Sequence, residues 1–135
     1  AGNTVMKMAE NSDFMSEAIK AKAINVSSAM SGNFTKAYNA GVNIAFGTDS
    51  GVSAHGKNAQ EAVLMHLAGM SNADILQSAT VNAAALIDFS DTLGSLEAGK
   101  HADIIATKKS PLEDISALLN VSFVMKSGIV VKNVR

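Results

Sequence analysis

Apolar residues recur at three- and four-residue spacing from Asp13 onward: Phe14, Ala18 and Ile19 share one face, and Met30, Phe34, Ala37 and Tyr38 continue the stripe. That period predicts an amphipathic helix. Ser27, Ser28, Ser31 and Gly32 are weak helix formers, so two helical pieces with a break before Met30 are expected. Gly41 stands where the left-handed residue after a last helical turn belongs. The period then changes. Val42-Asn43-Ile44-Ala45-Phe46 alternates, with Val42, Ile44 and Phe46 on one face, which predicts a short buried strand stopped by Gly47. Asn58, with Glu61 three residues later, reads as a capping box opening a helix that ends at Gly69. Ser71 and Asp74 repeat the cap logic, and Ala83 begins a further short helix.

Beyond Asp91 the chain turns β-rich. Leu93-Gly94 and Gly99-Lys100 are turn signals, Asp103 to Thr107 is strand-like, and Ser110-Pro111-Leu112 marks another turn. Val121 to Met125 and Ile129 to Val134 are β-prone runs, with Lys126-Ser127-Gly128 between them as a hairpin signal. Helix, strand, loop and helices followed by a β-rich tail define an α/β chain.

Composition narrows the function classes. The 135 residues are 47% hydrophobic and 17% charged with one proline, a globular composition too short for two independent domains of ordinary size. The longest apolar run, Ala83 to Ile87, is far below the roughly 20 residues of a spanning helix, so no membrane partner is expected. Eleven basic against twelve acidic residues, without a basic block, argue against nucleic acid. The absence of cysteine excludes disulfides and thiolate metal sites, so any metal needs oxygen or imidazole ligands. The compartment stays open, with the cytoplasm as default. The start at Ala1-Gly2-Asn3, with neither initiator methionine nor signal-like segment, reads as a processed or excised piece.

The candidate chemistry lies in Gly47-Thr48-Asp49-Ser50-Gly51-Val52-Ser53-Ala54-His55-Gly56. A carboxylate just past the carboxyl end of a strand is where α/β proteins place reacting groups, and Asp49 there can ligate a divalent metal and take a proton from water. The plain alternative is an Asx turn onto Gly51 or Val52. His55 can bind a substrate carboxylate or a metal, or simply face solvent. His66 sits within a helix and His101 in a Gly-Lys-His turn, and no His-x-His or His-Glu-x-x-His occurs. Ser50 and Ser53 lack a nucleophile elbow, and the glycines match no phosphate-binding pattern. The seven methionines read mainly as core filler.

Taken in order, residues 40–51, His55-Gly56-Lys57-Asn58 with Glu61, Ala79-Thr80-Val81-Asn82-Ala83-Ala84, and Leu93-Gly94-Ser95-Leu96-Glu97-Ala98-Gly99-Lys100-His101-Ala102-Asp103-Ile104-Ile105 resemble the closing part of amidohydrolase-superfamily metal hydrolases. Pro111-Leu112-Glu113-Asp114-Ile115 and Val124-Met125-Lys126-Ser127-Gly128 extend the resemblance to the end of the chain. It implies the C-terminal portion of a (β/α)8 barrel, with residues 1–89 as the last barrel strand and its flanking helices, and residues 90–135 as β-rich strands of a small β-sandwich. It further implies that Asp49 binds metal and shuttles the catalytic proton, while the other ligands of such enzymes match nothing in these residues.

The activity so implied is cleavage of amide C–N bonds by metal-activated water, with zinc as the divalent metal of the complete enzyme and none held tightly by this chain alone. Its substrate would be a small peptide with a free carboxylate, held by His55, or a cyclic amide of the imidazolone type. Alone, the chain is expected to be inactive. The rival expectation is a non-catalytic α/β module, self-standing or homo-oligomeric through exposed apolar faces.

Overall fold

The computed structural model describes residues 16–49 and 55–134. They fall into two compact units, one holding the described residues up to Val42 together with 48–49 and 55–58, the other holding Asn43–Gly47 and the residues from Ala59 onward.

The first unit is built on α1, Glu17–Asn39, 23 residues without interruption. The break expected before Met30 is absent. Serine costs a helix only a few tenths of a kcal/mol and glycine about 1 kcal/mol relative to alanine, too little to interrupt a run rich in alanine and lysine. The end of α1 is specified by Gly41, whose φ of 75° lets its N–H reach the Tyr38 carbonyl while Val42 N–H reaches Ala37. This paired closure is the Schellman arrangement.

In the second unit, α2 (Gln60–Leu67), α3 (Asn72–Ser78) and α4 (Val81–Leu86) precede β1 (Ile104–Thr107), a short 3-10 helix (Ile115–Asn120), β2 (Val121–Lys126) and β3 (Ile129–Asn133). The expected capping box at Asn58 does not form: Ala59 occupies the cap with helical dihedrals, and no side chain closes the turn. Its C-terminal signal does hold, Gly69 (φ 97°) closing α2 as Gly41 closes α1. At α3 the cap is as expected, Ser71 Oγ accepting from Asp74 N–H at 3.1 Å and donating to the Asp74 carboxylate at 2.6 Å. Ala62, Met65, Met70, Ile75, Ala84 and Ile115 form the buried core, and fully buried Ser78 is satisfied by donating to the Ile75 carbonyl. Met65 and Met70 thus fill core space, whereas Met30 on α1 is exposed.

The sheet is antiparallel in the order β1-β2-β3, with Ile105 opposite Val124 and Val124 opposite Lys132. Ser127 and Gly128 take φ of 48° and 80°, the doubly left-handed pair that a two-residue hairpin with native twist demands. Asp103 pins this turn by accepting from Lys126 Nζ and, at 2.7 Å, from Ser127 N–H. The 3-10 helix, which carries no periodic signal long enough to predict, begins at Asp114, whose carboxylate accepts from the N–H and hydroxyl of Ser116. Gly94 (φ 94°) brings its turn so close to α4 that a Cβ there would stand 2.8 Å from Ala84 Cβ.

The strand expected over Val42–Phe46 is not formed. Val42 is exposed, Ile44, Ala45 and Phe46 are half-buried, and the three-stranded antiparallel sheet is the sheet among the described residues. A parallel strand needs neighbours delivered by crossovers of a dozen or more residues, and among the described residues none stands beside this segment. Among the described residues no helix is long and apolar enough to cross a membrane.

Candidate functional site

The segment Asn43–Gly47 is held by helices instead of strands. Phe46 N–H donates to the Ser78 carbonyl at 2.9 Å, at the end of α3, and Asn82 Nδ2 on α4 donates to the Ile44 carbonyl at 3.1 Å. Ser78 is an effective anchor because it is itself fully buried. Two residues past Gly47, Asp49 is exposed and adopts φ 48°. That left-handed conformation is uncommon for residues other than glycine, although aspartate tolerates it better than most. Local strain of this kind recurs where a backbone must present a reacting group.

His55 is exposed, followed by Gly56 with φ 81°. Asp49 and His55 belong to the same compact unit. Ser50, Gly51, Val52 and Ser53 lie outside the described residues, and with them the Asx-turn alternative. His66 sits exposed in the last turn of α2. The His101 N–H donates to the Thr92 carbonyl, and the residue borders a groove of about 370 Å³ lined mainly by Ala83, Ile87, Leu93, Leu96 and Ile105. Neither Asp49 nor His55 lines that groove.

Asp103 and Asp114 have perturbed acidity, both for structural reasons. Asp103 is held below the ordinary carboxylate range by the Lys126 ammonium and then by Ser127 N–H, and Asp114 by the hydroxyl and then the N–H of Ser116. Asn82 was not singled out for chemistry by sequence reasoning. Its signal was its place in the Ala79-to-Ala84 stretch, but a side-chain bond to a backbone carbonyl 38 residues away leaves no periodic trace.

Among the described residues no three His, Asp or Glu side chains converge to hold a metal ion. The described residues of the candidate loop offer Asp49 and His55, which fall short of a complete metal centre. The sequence model of the amidohydrolase family matches residues 4–131. The chain belongs to the amidohydrolase family. This family is generally metal-dependent. Over 70 residues the chain is 46% identical to a Nematostella vectensis protein named a probable imidazolonepropionase, covering 49% of this chain and 16% of that protein.

Solved amidohydrolase structures match more fully. A Xaa-Pro dipeptidase with methionine bound in its active site superposes with a TM-score of 0.89 at 45% identity, over 98% of this chain and 32% of that one. A prolidase complexed with N-methylphosphonate-L-proline gives a TM-score of 0.83 at 26% identity, over 98% of this chain and 33% of that one. The chain thus spans about a third of these structures, in keeping with the expected fragment relation, and its α/β fold is that portion of an amidohydrolase barrel protein.

Proposed function

We propose that this segment supplies the proton-transfer carboxylate of a hydrolase that cleaves amide C–N bonds in small peptides bearing a free carboxylate. The similarity to a Xaa-Pro dipeptidase across 98% of the chain is the observation that carries this reading. Asp49 accepts a proton from the attacking water and returns it to the departing nitrogen, a task suited to an exposed carboxylate on a fixed backbone. His55 holds the substrate carboxylate through a hydrogen bond or, when protonated, a charge-assisted one. The metal, zinc in this proposal, is held by Asp49 together with ligands that these residues do not supply. On its own the 135-residue chain turns over no peptide and retains no stoichiometric zinc after dialysis; elemental analysis finding one tightly held zinc per chain contradicts this.

A complete enzyme carrying this segment can be made by replacing the matched third of the Xaa-Pro dipeptidase with this chain. It is expected to hydrolyse dipeptides with free C-termini, and His55→Ala should raise KM on these while leaving C-terminally amidated peptides unaffected. Equal losses on both, or none on either, remove His55 from substrate binding. Opening of an imidazolone ring with peptides untouched favours the cyclic-amide alternative, which rests on the 46% identity over 70 residues. The non-catalytic reading draws on the exposure of Leu67, Leu86, Leu96, Ile129 and Val131, and a stable homo-oligomer in sedimentation analysis is its mark.

A further inference from the structure

We draw no further inference here: the strongest candidate, the apolar groove of about 370 Å³ lined by Ala83, Ile87, Leu93, Leu96 and Ile105 between α4 and β1, carries no proposal, because nothing in the structure shows what covers it.

Discussion

Val42-Asn43-Ile44-Ala45-Phe46 and Val121-Ser122-Phe123-Val124-Met125 are similar five-residue runs, each alternating around β-branched and aromatic side chains, yet they reach opposite states. The second is the central strand of a sheet, with Ile105 on one side of Val124 and Lys132 on the other. Among the described residues the first joins no sheet; Ile44 accepts from an asparagine side chain and Phe46 donates to a helix-end carbonyl. Propensity is alike in both; access to partners is not. β3 is delivered to β2 by a two-residue turn, and β1 lies a short excursion upstream, so this sheet closes with residues near at hand in the chain. A parallel barrel strand depends on neighbours a whole helix crossover away on each side. Order in this molecule follows the availability of partners more closely than it follows strand propensity.

The contrast can be broken by substitution. Ile75 is fully buried, and Ile75→Ala should cost about 2–5 kcal/mol in denaturant unfolding. Val42, 55% exposed in the unpartnered run, should tolerate Val42→Ala within about 0.5 kcal/mol. A comparable loss at both positions would mean that the first run is packed as tightly as the core.

A smaller effect sharpens the comparison on the sheet side. Asp103 has a folded-state pKa depressed below its ordinary value of 3.8 by Lys126 and Ser127. It therefore stabilises the hairpin above that value, and the stabilisation fades as pH falls from there through the lower folded-state value. Asp114 behaves alike through Ser116. Asp103→Asn should flatten the acid limb of stability against pH; an unchanged limb would place the acid sensitivity elsewhere.

What was legible in the sequence divides along the same line. Gly41, Gly69, Ser71 and the Ser127-Gly128 turn announce themselves because caps and tight turns are satisfied by residues within a few positions. The 3-10 helix after Asp114 is two short turns opened by one carboxylate, and the continuity of α1 through its serines reflects penalties too small to break a helix. Asp49 is a candidate from its place after a strand-like run and from the family resemblance. The bond from Asn82 to the Ile44 carbonyl was not legible, since it depends on where α4 is placed against Ile44, a tertiary fact.

The central claim is that Asp49 carries the proton in the complete enzyme. Asp49→Asn in the dipeptidase bearing this chain, measured by initial rates on an Xaa-Pro substrate alongside a thermal melt, tests it most directly. The account predicts a fall in kcat of at least about a hundredfold, because an amide cannot accept the proton, with the melting temperature essentially unchanged. Turnover within a few-fold of the unsubstituted enzyme, at an unchanged melting temperature, would contradict it.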